Sequence, residues 1–311
     1  MKKILITGGA GYIGSVLSTL LVQKGYSVTV IDNLLHLQDS LSHLFINKNF
    51  TFIKMNILNF RKLKILVKKN DIIIPLAAYV GAPLCDKYPK LSQSVNYKSI
   101  KYLLSILRKN QKIIYPNTNS GYGITKKNIF CTEETPLSPI SLYGTTKCAA
   151  ESEVIKFNNS VCLRLATVFG VSYRMRSDLL VNNFVMNSVY NKRLNIFEGN
   201  FRRNYIHVRD VANAFYYIIK NFNKMKGNIF NLGLSDANLT KIDLAIKIKK
   251  YIPKLKIKKI KGLKDIDKRD YYVSNKKIEK AGFRTKITLD DGIKELINFF
   301  SNSTSKFINN Y

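Results

Sequence analysis

Near its start the chain passes from the apolar run Lys3-Ile4-Leu5-Ile6 straight into Thr7-Gly8-Gly9-Ala10-Gly11-Tyr12-Ile13-Gly14, and then into a segment of helical periodicity over 12–24. That G-x-x-G-x-x-G turn between a strand and a helix constrains the chain more than any other feature. Its first glycine permits a tight strand-to-helix turn, its second lets the backbone come close to a pyrophosphate, and its third lets helix and strand pack closely. Phosphates then sit at the positive end of the helix. Gly8, Gly11, Tyr12, Ile13 and Gly14 are therefore expected to hold a dinucleotide. The next apolar run ends in Asp32, 18 residues after Gly14, with Asn33 beside it. A carboxylate there accepts hydrogen bonds from the adenosine ribose and repels a 2′-phosphate, which predicts NAD rather than NADP.

The rest of the first half extends the pattern. Apolar runs at 4–6, 28–31, 50–53, 72–74, 112–115 and 161–165 alternate with helix-period segments at 12–24, 60–69, 92–109 and 142–156. Continuous apolar strands separated by helices are buried on both faces, which predicts an α/β fold with a Rossmann-type doubly wound parallel sheet. The second half changes texture. A loop-and-helix stretch at 171–201 precedes a helix at 208–222, a short strand at 227–232, a helix capped by Thr240 and ended by Pro253, and a last helix at 289–300. At 311 residues the chain is long for one domain. The expected division is a dinucleotide-binding domain at 1–170, to which 204–235 return, a smaller C-terminal substrate-binding domain from 171–203 and 236–300, and a flexible tail at 301–311.

Charge invites a different reading. The formal net charge is +31, which could mark a nucleic-acid binder. Lysine dominates, however, and most lysines are scattered. The densest run, 247–261, alternates Lys with Ile and Leu like a helix end followed by an edge strand that lysines keep from aggregating. The expectation is a solvated basic surface that favours an anionic substrate, with no nucleic-acid partner. Four cysteines (Cys85, Cys131, Cys148, Cys162) form no C-x-x-C pair and no ligand cluster with His36, His43 and His207, which predicts a reduced cytoplasmic protein without a metal. A strand begins at once, so no signal peptide is expected. The longest apolar stretch, 72–85, is interrupted by Pro75, Gly81 and Pro83 and is too short to span a bilayer.

Tyr143-Gly144-Thr145-Thr146-Lys147 places a tyrosine and a lysine one helical turn apart on one face. Lys147 beside Tyr143 is expected to lower the tyrosine pKa, so that the phenolate takes a hydroxyl proton.

With the glycine turn, Asp32 and Y-x-x-x-K in this order, the chain resembles the extended short-chain dehydrogenase/reductases, the nucleotide-sugar epimerase/dehydratase group. The resemblance implies that Leu76-Ala77-Ala78 lines the cofactor, that Asn96 stands near the active site, and that Tyr143 and Lys147 also touch the cofactor. Asn56-Ile57 replaces the family's usual Asp-Ile against the adenine. The family's S/T-x-x-x-Y-G pattern falls on Thr118 in Asn117-Thr118-Asn119-Ser120-Gly121-Tyr122-Gly123 and implies a third catalytic residue, with Ser120 as its competitor. The family's 4,6-dehydratases carry Asp-Glu after that threonine. Here the pair is Asn119-Ser120, neither of which is an acid or base near neutral pH, so dehydration is disfavoured.

On the substrate side, the resemblance implies that Asn182, Arg203 and Arg269 approach a nucleotide diphosphate, where a planar guanidinium binds phosphate at two points. Arg174 and Arg176, in a loop near the expected cleft, are further substrate candidates. The segments 80–85, 116–123, 164–170 and 178–182 resemble the branch containing GDP-glycero-manno-heptose 4-dehydrogenase, which supplies 4-keto sugars for modified heptoses of bacterial surface polysaccharides. The expected activity is NAD-dependent oxidation of the C4 hydroxyl of a GDP-sugar. A nucleotide-sugar 4-epimerase is the alternative, and a non-catalytic NAD-binding sensor is disfavoured by the intact Thr118, Tyr143 and Lys147. Family analogy also implies a homodimer built on the helices at 92–109 and 142–156.

Overall fold

Seven apolar segments pair into one parallel sheet in the computed structural model, which describes residues 1–36, 39–125, 129–260 and 269–303. We label them β1 (Lys3–Thr7), β2 (Ser27–Asp32), β3 (Phe50–Lys54), β4 (Ile72–Pro75), β5 (Lys112–Thr118), β6 (Ser160–Leu165) and β7 (Asn228–Leu232). Their spatial order is β7-β6-β5-β4-β1-β2-β3. The alternation of apolar residues explains why the runs are continuous. Ile4 and Ile6, Val28 and Val30, Ile72 and Ile74 enter one core, whereas Leu5, Ile31 and Ile73 enter another on the opposite face. Because both faces are covered, β1 and β4 are apolar over Ile4–Ile6 and Ile72–Pro75.

Chain order reverses between β1 and β4, so the helices that follow these two strands leave a crevice at their carboxyl ends. Thr7, Asp32, Pro75 and Thr118 are the last residues of their strands, which brings the glycine turn, the ribose-binding candidate and the catalytic threonine to one rim. A separate apolar core lies beneath the C-terminal region, where Phe169, Val181, Phe184, Leu244, Ile293 and Phe300 pack together. The first helix of that region, Leu180–Tyr190, rests against the last one, Leu289–Asn302.

Several elements depart from the periodicity. The expected helix at 92–109 is broken into Pro89–Gln93, a π-helical turn Ser94–Lys98 and Ser99–Ile106. The stretch at 171–201 also holds a strand, Arg193–Ile196, which pairs in parallel with Lys256–Lys259 from the lysine-rich run. Three short strands, Thr167–Phe169, Arg202–His207 and Asn238–Thr240, form a small sheet that apolar patterning did not announce. The cap at Thr240 is a full capping box with Asp243. Residues 304–311 of the tail, and Lys261 and Lys268, lie outside the described residues.

A buried ion pair fixes the helix that carries Tyr143 and Lys147, Leu142–Val154, to the sheet. Arg164 on β6 grips Glu151 through Nε (3.1 and 3.2 Å) and Nη2 (2.8 Å), and Asn117 on β5 donates to the same carboxylate at 2.6 Å. The remaining guanidinium nitrogen donates to the Tyr122 hydroxyl at 3.0 Å and the Glu133 carbonyl at 3.0 Å. Glu151→Ala leaves a buried guanidinium without its carboxylate and is expected to cost about 3–5 kcal/mol. Urea titration checks this, and an unchanged midpoint would show that the pair contributes nothing.

Candidate active site

The glycine turn is built by close approach. Gly8 has φ +72°, and a Cβ there would stand 2.5 Å from the Ala77 nitrogen; a Cβ on Gly14 would stand 2.4 Å from the Gly8 carbonyl oxygen. A side chain at either position would push the loop after β4 or the first helix, Tyr12–Gln23, away from β1. Gly11 is the N-cap of that helix and makes no side-chain cap, and the first turn carries no acidic residue. The leading amides are therefore open to an anion, as a bound pyrophosphate requires.

One continuous cleft runs from this turn to the catalytic helix. Gly8, Gly11, Tyr12, Ile13, Gly14, Asp32, Asn33, Asn56, Ile57, Leu76, Ala77 and Ala78 line its dinucleotide end, and Thr118, Ser120, Tyr143, Lys147 and Arg269 line the other. Asp32 accepts from the Ala10 amide at 3.0 Å and the Leu34 amide at 2.8 Å, which orients the carboxylate, while burial raises its pKa. The Asn56 carbonyl already accepts from the Leu58 amide at 2.9 Å, leaving one lone pair for an adenine amino group.

Three expected ligand residues stand behind the cleft instead of lining it. Asn96 sits in the π-helical turn and clamps Tyr79 through both amide atoms, accepting from its amide at 2.8 Å and donating to its carbonyl at 2.9 Å. It shapes the loop that borders the cleft. Asn182 joins the Gly170 amide (3.0 Å), the Tyr12 hydroxyl (3.2 Å) and the Arg176 carbonyl (2.8 Å), so its amide is spent on three backbone and side-chain contacts. Arg203 donates to the carbonyls of Arg202 (2.8 Å) and Arg269. Together with the Arg202–Asp270 fork (2.9 and 3.0 Å), it straps the segment bearing Arg269 onto the strand Arg202–His207.

The catalytic candidates meet through hydroxyls. Arg269 donates to Ser120 Oγ, Ser120 Oγ lies 2.8 Å from Thr118 Oγ1, and the Ser120 amide donates to Thr118 Oγ1 at 3.1 Å. A guanidinium is donor-only, so Ser120 Oγ accepts from Arg269 and shares a second hydrogen bond with Thr118 Oγ1, in which either hydroxyl can donate. Thr118 also stands beside Tyr143, where its hydrogen bond pulls the phenol pKa down. The serine is thus a support for the threonine, a role its sequence position did not indicate.

The expected effect of Lys147 on Tyr143 is corrected. Burial pushes the Tyr143 pKa up to about 12, with Arg269, Arg176 and the Thr118 hydrogen bond pulling it down. Lys147 is 4% exposed, its Nζ lies 4.1 Å from the Tyr115 ring centroid, and burial lowers its pKa to about 7. Burial disfavours the charged form of each, so as the pH rises the lysine gives up its proton well before the tyrosine does.

The sequence from 4 to 233 matches the NAD dependent epimerase/dehydratase family. The chain belongs to that family. An uncharacterised protein of Methanocaldococcus jannaschii is 30% identical over 96% of both chains. A protein of Bacillus subtilis named as an uncharacterised UDP-glucose epimerase is 33% identical over 67% of this chain and 69% of its own. The crystal structure of a dTDP-glucose 4,6-dehydratase from Bacillus anthracis, in complex with NAD, superposes with a TM-score of 0.85 at 22% identity over 98% of both chains, which shows the same fold. The cofactor of this family is NAD, and the open helix start, the oriented Asp32 and the glycine cradle fit it.

Two consequences are measurable. Removing the serine hydroxyl in Ser120→Ala frees Thr118 to rotate and is expected to lower kcat about tenfold with KM little changed, and Ser120→Thr to restore most of it. Steady-state kinetics on a turned-over nucleotide sugar decide this; an unaltered kcat removes the support role. For Lys147, a folded pKa of about 7 lies below the unfolded value of 10.5, so the unfolded chain binds more protons between them. The cost of burying the charge is full below pH about 7 and fades as the pH rises toward 10.5. Lys147→Met in the cofactor-free protein should therefore melt higher than wild type at pH 6, with the gap shrinking by pH 9, as followed by circular dichroism.

Proposed function

We propose that this protein oxidises the C4 hydroxyl of a nucleotide-activated sugar to a ketone, and that its substrate is a GDP-heptose. A nucleotide-sugar epimerase/dehydratase-type activity follows from family membership. The observation that supports oxidation without dehydration is the end of β5. Thr118 stands beside Tyr143, while Ser120 is engaged with Arg269 and Thr118, and Asn119 is buried behind the cleft. Eliminating water from the sugar needs an acid and a base beside the ring, and neither residue supplies one.

In this reading Tyr143 takes the proton of the sugar hydroxyl. Thr118 donates a hydrogen bond to the same oxygen and holds it as it becomes a carbonyl. Lys147, protonated as the tyrosinate forms, balances its charge. NAD, when bound, accepts the hydride from the sugar carbon. The charges of Arg176 and Arg269 both act on Tyr143, which brings anion-binding groups to the sugar end of the cleft. The heptose and the guanine base rest on the likeness of 80–85, 116–123, 164–170 and 178–182 to the heptose 4-dehydrogenase branch. We further propose that the protein works as a homodimer in the cytoplasm. Among the described residues, no helix is long and apolar enough to cross a membrane.

The epimerase name of the Bacillus subtilis relative supports a second reading, a 4-epimerase that uses the same three residues and returns the hydride to the other face. Product analysis separates them. Incubation with GDP-heptose and NAD is expected to give a sugar nucleotide lighter by one molecule of hydrogen, with reduced cofactor accumulating. A product of unchanged mass with inverted C4 establishes the epimerase instead, and loss of water rejects both.

A further inference from the structure

Arg174, a buried cation on the cleft wall, has two guanidinium nitrogens without a hydrogen-bond partner. It is 2% exposed, and the unbonded nitrogens are Nε and Nη2. Its neighbour in the same loop differs: Arg176 forks onto Asp178 through Nε (3.1 Å) and Nη2. Arg176 is ion-paired within the loop, whereas Arg174 makes no ion pair and is acted on by Asp178 and Asp32 only at longer range. A desolvated guanidinium with unbonded nitrogens is unfavourable, so such a group marks a place where an anion belongs. Burial and the charge of Arg176 lower its pKa to about 10, which still leaves it charged at neutral pH.

Its surroundings identify the anion. Residues on the N-terminal side of Arg174 are tied to the start of the first helix: Ser172 Oγ donates to the Tyr12 carbonyl at 2.7 Å and lies 3.1 Å from Ser15 Oγ. Tyr173 stacks on His43 at 4.3 Å between ring centroids. The charge of Arg174 acts on Asp32 and on His36, both at the dinucleotide end of the cleft. Tyr143, at the other end, is acted on by Arg269 and Arg176. Arg174 thus acts at the dinucleotide end, whereas Arg176 reaches both ends, acting on His36 and Tyr12 as well as on Tyr143, although the sequence grouped Arg174 with the sugar nucleotide.

We propose that Arg174 is a clamp for the cofactor, its guanidinium binding the pyrophosphate of NAD in concert with the uncapped amides that begin the first helix. A fork of N–H donors suits phosphate oxygens, and the two negative charges of a pyrophosphate supply a direct counter-charge. The clamp joins the loop after β6 to the glycine turn through the cofactor, so it acts on dinucleotide retention whichever sugar is turned over.

Isothermal titration of the full-length protein, stripped of nucleotide, tests this with four probes: NAD, ADP-ribose, GDP and UDP. Arg174→Gln is expected to weaken NAD and ADP-ribose by about 10- to 100-fold, the range for losing hydrogen bonds to a charged group, and to leave GDP and UDP within about twofold. Arg174→Lys keeps a point charge without the fork and should lose less. It also serves if the glutamine variant does not fold. Weakened GDP and UDP with unchanged NAD assigns the arginine to the sugar nucleotide and overturns the proposal. Unchanged binding of all four probes makes it a structural cation only, and overturns it equally.

Discussion

Everything at the functional end of this molecule depends on how closely the first helix can approach β1 and β4. The backbones of Gly8, Gly14 and Ala77 meet at distances that leave no room for a Cβ on either glycine. That contact lets the helix begin at the rim of the sheet with its leading amides facing the cleft and uncapped. It also brings the end of β4 beside the turn, where the Leu76 amide donates to the Thr7 carbonyl at 2.8 Å. A larger residue would separate the helix from the strand ends and with them the two halves of the cleft.

The cations buried around the cleft are handled in three different ways, and the differences follow from their tasks. Arg164 is fully paired, with Glu151, Tyr122 and Glu133 consuming its donors, and it anchors the catalytic helix. Lys147 is stripped of water and moved to the edge of neutrality, with its pKa lowered to about 7 by burial. Arg174 keeps its charge with Nε and Nη2 unbonded, a state that favours an arriving phosphate. A structural role, a switchable role and a ligand role are thus separated by local pairing and desolvation rather than by residue type.

The central sheet was readable in the sequence because strands buried on both faces leave unbroken apolar runs, and the cleft end of it because glycine spacing encodes backbone contacts. The small sheet of Thr167–Phe169, Arg202–His207 and Asn238–Thr240 was not, since short strands at a domain edge carry too few alternating residues to register. Asn96 illustrates a second limit: an intervening π-helical turn rotates its side chain toward Tyr79, and nothing in helical periodicity anticipates that turn. The arginines show a third. Scarcity in a lysine-rich chain marked Arg203 as special, but its guanidinium serves backbone carbonyls, because a five-donor fork is as useful for strapping a chain segment as for holding phosphate. The Tyr143 pKa was misjudged because helical spacing reports adjacency, whereas the shift is governed by burial.

What a hydroxyl-oxidising site of this family goes on to do is decided by its neighbours rather than by the oxidising residues. In the proposed reaction Tyr143 is the proton acceptor, Thr118 the donor to the forming carbonyl and Lys147 the compensating charge, and each of those is needed whatever follows. The two residues after Thr118 are where the outcomes part. An acidic pair there would stand ready to move further protons on the ring. This chain instead has a buried amide, and a serine whose hydroxyl is engaged with Thr118 and Arg269. With no acid or base at that position, the proposed reaction stops at the ketone or reverses from it, because breaking a further bond needs a proton donor and acceptor beside the ring.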